Sequence, residues 1–338
     1  MGSAEITLPT RREAAAVDGF PRGQAIGRYL LLDRLGEGGV GEVFAAYDPH
    51  LDRRVALKLL RQGEGGQPGT AASDQDWRAL LREAQALARL SDPHVVAVHD
   101  VGVFEGRTFI AMEIVEGLDL ASWIERERGK YRWPQALGLL RAAGAGLAAA
   151  HAAGVIHRDF KPANVLLREQ GGREPDVKVG DFGLARRHGD EARAATITMA
   201  RSLADTTGTS GPDAIPPGTP YYMAPELFDG APASVRSDIY AFCVTMYEVL
   251  VGERPHRGTT LTALLAEKHK AMPAIPASIG LPRWLIATIE RGLVVDPRAR
   301  WPDMTSLLGA LRRERSPRAR ALAWLAVGGT AVGVAWAF

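Results

Sequence analysis

The sequence has few features of a secreted protein or of a nucleic-acid-binding protein. Cysteine occurs once among 338 residues, at Cys243, so no disulfide can form within the chain, which fits a reducing compartment. The formal net charge is only +2, and bulk electrostatics therefore give no support for a nucleic-acid partner. Residues 1–27 contain no continuous apolar stretch, so we predict a poorly ordered leader there and no signal peptide.

The remaining composition is ordinary for a globular protein, with 46% apolar and 24% charged residues. The first part predicts one helix at 76–90, a loop at 64–75, and strands at 29–39, 40–48, 53–60, 95–104 and 107–115. The second part predicts helices at 120–130, 133–154, 234–251, 259–270, 282–293 and 303–315. We therefore predict an α+β protein whose two parts join near Val115 to Gly117.

Four glycines within "LGEGGVGEVF" (35–44) indicate either a loop or the close approach of another group to the backbone. Gly36, Gly38 and Gly41 form G-x-G-x-x-G, a spacing that dinucleotide-binding folds share. Here a strand-like run follows the glycines instead of a helix, and a second run, "VALK", ends at Lys58. This context favours backbone amides and a lysine around phosphate groups. A plain hairpin turn beside a solvated lysine is the alternative.

Three further segments carry a resemblance to a known family. They are "HRDFKPANVLL" (157–167), "VGDFGLA" (179–185) and "GTPYYMAPE" (218–226). Together with the glycine-rich loop they make residues 29 to 311 resemble the protein kinase superfamily, and above all the bacterial eukaryotic-type (Hanks-type) serine/threonine kinases. The resemblance implies a two-lobed fold, with a β-rich N-lobe carrying one main helix (28–115) and a larger, mostly helical C-lobe (116–312).

The resemblance also implies the catalytic residues of an enzyme that transfers the γ-phosphate of ATP to Ser or Thr hydroxyls of proteins. Asp159 would accept or orient the hydroxyl proton, and Lys161 would contact the transferring phosphate. Asn164 and Asp181 would hold Mg²⁺ through oxygen ligands. Taken singly, any one Asp or Lys is more simply read as a solvated surface charge, and the ordered set carries the assignment.

The same resemblance implies an ATP site. Lys58 would contact the phosphates and pair with Glu83 of the predicted helix, although Glu83 also fits an exposed helix charge. Met112 would lie at the back of the adenine pocket, and Asp119 would reach the ribose. Backbone groups of Glu113 and Val115 would bind the adenine edge. The full set comprises Leu35, Gly36, Glu37, Gly38, Gly39, Val40, Gly41, Val43, Ala56, Lys58, Met112, Glu113, Val115, Asp119 and Leu166.

Other matching residues are expected to be architectural. Glu226 and Arg300 match a structural ion pair of the helical lobe, and Asp238 matches a residue that braces the catalytic loop. The chain departs from the usual family pattern at three places that touch no reacting group, namely Phe160, Cys243 and Trp301.

The segment between the "DFG" and "APE" motifs indicates both the substrate class and a mode of control. "GTPYYMAPE" favours a protein substrate over a small molecule, and Thr219 would help to shape the hydroxyl site. The segment is long for this family and rich in small and polar residues, so we predict that its middle is mobile. We predict autophosphorylation within 196–210, at Thr206, Thr207 or Thr209, with Arg158 as the partner of the phosphate.

Two other functions remain open from the sequence: a nucleotide-binding scaffold without catalysis, and a small-molecule phosphotransferase. Loss of Lys58, Asp159 or Asp181 would favour the scaffold, and all three are present. Absence of the "GTP…APE" segment would favour the small-molecule enzyme, and the segment is also present.

The end of the chain predicts a membrane anchor. Residues 321–338 carry no charge and would form a helix about 27 Å long, near the lower limit for spanning a bilayer. Basic residues at 313–320 would keep the kinase domain on the cytoplasmic side of the inner (cell) membrane. Gly329 and Gly333 hint at helix pairing and leave a homodimer open. The alternatives are a terminal helix packed on the helical lobe and the cut edge of a longer chain.

Overall fold

The structure is a computed structural model that describes residues 20–38, 41–60, 71–169, 174–183 and 219–312, without the side chains of 38, 71–76, 79 and 219. The chain divides into two compact units. The first comprises Met1–Ala84 and Ala97–Ile114, and the second comprises Gln85–Val96 and Val115–Phe338. The last of the three breaks follows Ile114, beside the junction that the sequence indicates, whereas residues 85–96 group with the second unit. The α+β class is confirmed.

The first unit is built on one antiparallel sheet of six strands in the order β1-β2-β3-β4-β6-β5. The strands are β1 Ala25–Ile26, β2 Tyr29–Gly38, β3 Gly41–Asp48, β4 Arg53–Leu60, β5 Val98–Phe104 and β6 Arg107–Met112. The helix α1 covers Ala71–Arg89. Leu80, Ala84 and Leu87 of this helix are buried, as their helical spacing predicts.

The two faces of this sheet carry different side chains because alternate residues of a strand point to opposite faces. On one face Val43 pairs with Lys58, which pairs with Ile110, while Ala56 pairs with Met112. The opposite face forms the apolar core of the unit, made of Ile26, Tyr29, Leu31, Phe44, Ala46, Val55, Leu57, Leu59, Phe109 and Ala111. The alternation of side chains along β4 therefore places Lys58 on the face of the sheet opposite the apolar core.

The expectation of a disordered leader over 1–27 is wrong for its last residues. Ile26 is fully buried in the sheet core, and β1 pairs with β2. Phe20 packs edge-on against Phe44, with ring centroids 6.3 Å apart. The sequence has no apolar run here, and two isolated apolar side chains are enough to anchor the segment. Residues 1–19 lie outside the described part of the chain.

The loop predicted at 64–75 is wrong for residues 71–75, because α1 already begins at Ala71. Alanine is the best helix former, so the pair at 71–72 favours a helix start. The serine and aspartate that follow are common in turns but also common near helix N-termini, so their presence does not distinguish a loop from a helix start.

The second unit is mainly helical and contains a small sheet that the sequence did not predict. Its helices are α2 Leu120–Arg126, α3 Trp133–Ala152, α4 Pro225–Phe228, α5 Val235–Val251, α6 Leu261–Lys268, α7 Arg283–Gly292 and α8 Met304–Leu311. Its strands β7 Gly117–Asp119, β8 Val165–Arg168 and β9 Asp176–Val179 pair in the order β7-β8-β9. Strands of three or four residues leave almost no periodic signal in a sequence.

Helix α5 lies at the centre of this unit, and most of its side chains are buried. Ser234 caps its start by accepting a hydrogen bond from the backbone N–H of Ser237. Gly252 ends it in the left-handed conformation, at φ 88°, which glycine adopts without strain. Both ends of the helix are therefore defined, and its residues have fixed positions relative to the segments that pack around it.

None of the helices within the described ranges combines the length and apolar character needed to cross a bilayer. The segments 313–320 and 321–338, for which we predict a basic stretch and a membrane helix, lie outside those ranges.

Candidate active site

A short loop before β8 brings three of the predicted catalytic and metal-binding residues together. Lys161 Nζ lies 2.9 Å from Asp159 Oδ2. Asn164 Nδ2 donates to the Asp159 carbonyl oxygen at 2.7 Å, and it lies 3.4 Å from Oδ2 of the same residue. The 3₁₀ turn Pro162–Asn164 sets this spacing, since the N–H of Asn164 donates to the carbonyl of Lys161. Asp159 and Asn164 are buried, and Lys161 is partly exposed.

The buried carboxylate of Asp238, near the start of α5, holds the backbone of this loop. Its Oδ2 accepts from the N–H of His157 at 2.7 Å, and its Oδ1 accepts from the N–H of Arg158 at 2.9 Å. His151 Nε2 also lies 2.8 Å from Oδ2. The prediction that Asp238 braces the backbone of the loop that carries Asp159 is confirmed. Charge-assisted hydrogen bonds of this kind are stronger than neutral ones, which favours a fixed loop.

His157 links the loop to the segment after β9. Its Nδ1 accepts from the N–H of Asp159 at 3.3 Å, and its Nε2 lies 3.1 Å from the carbonyl oxygen of Gly180. An amide can only donate and a carbonyl can only accept, so the ring must be neutral with its proton on Nε2. Burial lowers the pKa of His157, which favours this neutral form. Phe182 packs on the same ring, with centroids 4.6 Å apart.

Asp181 follows β9 in a strained backbone conformation at φ 53°, and its side chain is exposed. Two hydrogen bonds join its neighbours to the catalytic loop: Gly180 N–H donates to the Asn164 carbonyl, and Gly183 N–H to the His157 carbonyl. Arg158 is also left-handed, at φ 65°. Non-glycine residues hold such conformations at a cost of about 1–3 kcal/mol and cluster at functional sites.

Asn164 and Asp181 provide a donor set that fits Mg²⁺. The amide nitrogen of Asn164 donates to the Asp159 carbonyl, so the amide oxygen is its remaining polar atom. Mg²⁺ takes oxygen ligands and is commonly held by one or two protein groups together with substrate phosphates. Among the described residues, no group of three or more His, Cys, Asp or Glu side chains could hold a metal by itself.

The first unit places the predicted nucleotide-binding side chains on one face of its sheet. Val43, Ala56, Lys58 and Met112 lie on the face opposite the apolar core. Glu83, the predicted partner of Lys58, is partly buried on α1, within the same unit. The Lys58–Glu83 pairing itself stays a prediction.

The glycines of the β2–β3 hairpin differ in what the fold requires. A β-carbon on Gly41 would lie 2.2 Å from the carbonyl oxygen of Leu59, so the neighbouring strand excludes any side chain there. Among the described residues, a β-carbon on Gly36 would meet nothing within 4 Å, and Gly36 does not have positive φ. The fold therefore gives no reason for glycine at 36. Gly38 pairs with Gly41 at the hairpin end, and Gly39 and Val40 lie outside the described residues.

Other predicted nucleotide-binding residues lie in several local settings. Leu35 is 53% exposed, and Glu37 receives a hydrogen bond from Arg34. The N–H of Glu113 donates to the Ala97 carbonyl at 2.8 Å. In the second unit Val115 is partly buried, and the partly buried Leu166 pairs with Asp119 in the small sheet.

Asp119 has a structural task besides its predicted contact with ribose. As the N-cap of α2, its carboxylate accepts from the N–H of Ser122 at 2.7 Å and from the Ser122 hydroxyl at 3.2 Å. Its role towards a ribose stays a prediction.

The segment before α4 passes beside the catalytic loop. Tyr222, Met223 and Ala224 line a small cavity together with Arg158 and Asp159. The Thr219–Tyr221 turn precedes these residues. The predicted phosphorylation sites at Thr206, Thr207 and Thr209 lie outside the described residues.

A buried ion pair fixes α4, as predicted for Glu226 and Arg300. Arg300 Nη1 and Nη2 each donate to one Glu226 carboxylate oxygen at 2.7 Å. Three backbone carbonyls accept the remaining guanidinium hydrogens, those of Arg236, Val294 and Val295. Full use of its donors explains how an arginine can be buried to 1% exposure.

Sequence reasoning missed several residues that support the site. His151 contacts Asp238, and Tyr222 donates to Glu248 Oε2 at 2.6 Å. Lys268 donates to the Tyr221 carbonyl at 2.7 Å. These pairs are separated by 26 to 87 residues and follow no local motif, so no signal in a single sequence would have found them.

Several known proteins are similar to this chain in sequence and in fold. A family model described as protein kinase domain matches residues 29–308. Serine/threonine-protein kinase PknE of Mycobacterium bovis is 36% identical over 291 residues, which cover 85% of this chain and 46% of PknE. Serine/threonine-protein kinase PknH of Mycobacterium tuberculosis is 33% identical over 290 residues, covering 84% of this chain and 41% of PknH.

The crystal structure of the Mycobacterium tuberculosis PknI kinase domain superposes with a TM-score of 0.61 and 26% identity, covering 86% of this chain and 98% of that one. The chain spans about half the length of the curated relatives it matches. The family model covers most of the chain and includes the catalytic loop, Asp181 and the Glu226–Arg300 pair. The chain therefore belongs to the protein kinase family.

Proposed function

We propose that this chain is a Mg²⁺- and ATP-dependent protein kinase that phosphorylates Ser or Thr hydroxyls of proteins. The arrangement of Asp159, Lys161 and Asn164 carries the proposal. It combines a buried carboxylate, an ammonium within 2.9 Å of that carboxylate and an amide that orients the same residue. Phosphoryl transfer depends mainly on such positioning and on neutralisation of charge.

In this proposal Asp159 accepts or orients the proton of the acceptor hydroxyl, which directs the oxygen lone pair towards phosphorus. Lys161 places positive charge where the transferring phosphoryl group gains negative charge. Asn164 and Asp181 would hold Mg²⁺, which when bound neutralises charge on the phosphates. Asp238 and His157 keep the loop in place through backbone hydrogen bonds and do not touch the substrate.

The nucleotide contacts proposed here are those that the resemblance to protein kinases implies. In the first unit, Lys58 would contact the phosphates and Glu83 would orient it, while Met112 would lie at the back of the adenine pocket. Among the described residues, nothing fills the space beside Gly36, so phosphate oxygens could approach the backbone there. This supports a phosphate-binding role for the β2–β3 hairpin. The remaining contacts would come from Leu35, Glu37, Gly38, Gly39, Val40, Gly41, Val43, Ala56, Glu113, Val115, Asp119 and Leu166.

Within the described part of the chain, the backbone N–H and carbonyl of Val115 make no hydrogen bond. A backbone donor and acceptor without a partner among the described residues suit the edge of an adenine ring. This supports the proposed role of Val115.

A transfer assay tests the proposal. Wild-type chain, Mg²⁺ and radioactive ATP are incubated with casein, beside the variants Asp159→Asn and Lys58→Met. We expect label on casein Ser and Thr with wild type and none with either variant, because both residues act on the reacting groups. Asp159→Asn should still bind ATP and stay folded. Near-normal labelling by pure Asp159→Asn would contradict the mechanism, and ATP binding without transfer by wild type would favour a scaffold.

We further propose control by autophosphorylation within 196–210. Phosphate adds about −1.5 to −2 charges and three acceptor oxygens, which suit an arginine such as Arg158. Mass spectrometry of wild-type chain incubated with ATP should find phosphate at Thr206, Thr207 or Thr209 and none in the Asp159→Asn variant. A fully active enzyme whose segment carries no phosphate would refute this control.

The predicted membrane attachment is a separate proposal that rests on sequence alone. The uncharged residues 321–338 and the preceding arginines support an anchor that leaves the kinase domain in the cytoplasm. Fractionation of the host should find the full chain with membranes and a chain ending at Ser316 in the high-speed supernatant. Recovery of both forms from the supernatant would show that the anchor is absent.

A further inference from the structure

A fully buried lysine holds the Thr219–Tyr221 turn. Lys268, at the end of α6, has no exposed surface, and its Nζ donates to the Tyr221 carbonyl oxygen at 2.7 Å. The ammonium also lies 5.1 Å from the centroid of the Tyr240 ring. Burying a charged ammonium costs several kcal/mol unless its partners compensate. A lysine at this position therefore needs an explanation other than filling space, since methionine or leucine would fill it without that cost.

The surroundings of Lys268 disfavour its charge. The Arg300 guanidinium lies 4.8 Å from the centroid of the same Tyr240 ring, so two cations share one aromatic residue. Glu226, whose charge acts favourably on Lys268, is bound by Arg300 with both carboxylate oxygens. Besides its contact with the Tyr240 ring, the interaction that methionine or leucine could not replace is its hydrogen bond to the Tyr221 carbonyl.

Further contacts hold the same turn. The Arg254 guanidinium lies 3.8 Å from the centroid of the Tyr221 ring, and the Tyr221 hydroxyl donates to the Gly258 carbonyl at 3.3 Å. The next residue, Tyr222, donates to Glu248 at 2.6 Å. The turn is therefore fixed at its backbone, at one ring and at the following side chain.

This turn leads directly to the catalytic loop. Tyr222, Met223 and Ala224 line the small cavity that also contains Asp159. A shift of the Tyr221 backbone would therefore move the segment that borders the catalytic carboxylate. The resemblance to protein kinases implies that Thr219, the first residue of this turn, helps to shape the site of the acceptor hydroxyl.

We propose that Lys268 is a positioning residue for the acceptor: by holding the Tyr221 carbonyl, it fixes the turn on which the Ser- or Thr-bearing segment of a protein substrate binds. The inference rests on the proposed kinase activity. It concerns the protein acceptor alone, because transfer of phosphate from ATP to water does not require this turn.

The test compares Lys268→Met with Lys270→Met on the full-length chain. Lys270 is the matched control, since it lies two residues further on and is exposed in an ion pair with Glu267. We expect Lys268→Met to lower kcat/KM for casein about tenfold, the loss expected when a buried carbonyl loses its hydrogen-bond donor. The KM for ATP and the rate of ATP hydrolysis in the absence of casein should stay within about twofold of wild type. Lys270→Met should match wild type in all three measurements.

A second pair of variants covers the case in which Lys268→Met does not fold. Arg254→Ala removes the contact on the Tyr221 ring from a partly exposed position, and Arg257→Ala on the same loop is its control. We expect Arg254→Ala to lower kcat/KM for casein while ATP hydrolysis is kept.

Wild-type kcat/KM for casein in both Lys268→Met and Arg254→Ala would overturn the inference. An equal loss of casein phosphorylation and ATP hydrolysis in folded variants would overturn it too, since that would indicate general damage. If wild type itself transfers no phosphate to casein, the proposed function fails and this inference fails with it.

Discussion

At the scale of single residues, the two hairpin glycines Gly41 and Gly36 are needed for different reasons. The fold requires glycine at 41, whereas glycine at 36 is explained by the proposed function. Gly41 has Leu59 backbone atoms against the position of a β-carbon, whereas Gly36 has open space. A sequence presents both as members of the same G-x-G-x-x-G pattern. Only the packing around each residue shows which glycine the sheet needs.

We predict opposite results for alanine at these two positions. Gly36→Ala should keep wild-type stability and raise the KM for ATP several-fold, because its methyl group would occupy space proposed for phosphate. Gly41→Ala should lower the free energy of unfolding by about 1–3 kcal/mol, since a β-carbon would overlap the Leu59 carbonyl. Urea unfolding and ATP titration of both variants check this. Equal stability of the two variants would contradict the packing argument.

The departures from the family pattern also have local explanations. Cys243, where glycine is common in the family, points at Gly292, and a β-carbon at 292 would lie 2.1 Å from its sulfur. Phe160 packs between His157 and Phe242, with 5.5 Å between centroids in each pair. The sequence shows that Cys243 and Phe160 are unusual, but it does not show that they pack against Gly292 and Phe242.

At the scale of secondary-structure elements, sequence reasoning works where a segment carries its own pattern. The hairpin, β4 and the long helices α3 and α5 have the periodicity and turn residues that predict them. Strands β7 to β9 and the anchoring of Phe20 and Ile26 depend on partners elsewhere in the chain. The same reason hides Lys268 from a sequence reading, because Tyr221 is 47 residues away.

Helix α6 provides a prediction about pH. Burial, together with the positive charges of Arg300 and Arg254, lowers the pKa of Lys268 to about 7, and the charge of Glu226 acts in the opposite direction. His256 also lies close. In the unfolded chain a lysine has a pKa of about 10.4, so between about pH 7 and about pH 10.4 unfolding takes up a proton. This residue therefore makes the protein more stable as pH rises through that window.

Urea unfolding of wild type, Lys268→Met and Lys270→Met at pH 7, 8 and 9 measures this contribution. We expect the rise in unfolding free energy with pH to be smaller in Lys268→Met and unchanged in the exposed Lys270→Met. An identical rise in all three proteins would show that Lys268 keeps its proton throughout.

At the scale of the whole molecule, buried histidines make the fold sensitive to acid. Burial lowers the pKa of His256 to about 4, with the charge of Lys268 adding to the effect and Glu267 opposing it. Burial also lowers the pKa of His157. An unfolded histidine has a pKa of about 6.5, so below that pH the unfolded state binds more protons than the folded state. Stability from these residues is therefore lost as pH falls from about 6.5 towards 4.

The variant His256→Gln tests this account, with the exposed His50→Gln as control. We expect wild type and His50→Gln to lose the same unfolding free energy between pH 6.5 and 4.5. His256→Gln should lose less over that range, because its side chain does not titrate. A loss in His256→Gln as large as in wild type would assign the acid sensitivity to other groups.

The central claim is that Asp159 directs phosphate from ATP to Ser or Thr of a protein. The most direct measurement uses the Asp159→Asn chain, labelled with ¹⁵N, as the acceptor for unlabelled wild-type chain with Mg²⁺ and ATP. Mass spectrometry then assigns each phosphate to one of the two proteins. We predict phosphate on Ser or Thr of the labelled chain only when wild type is present. Phosphate on the labelled chain incubated alone, or none on either protein, would contradict the account.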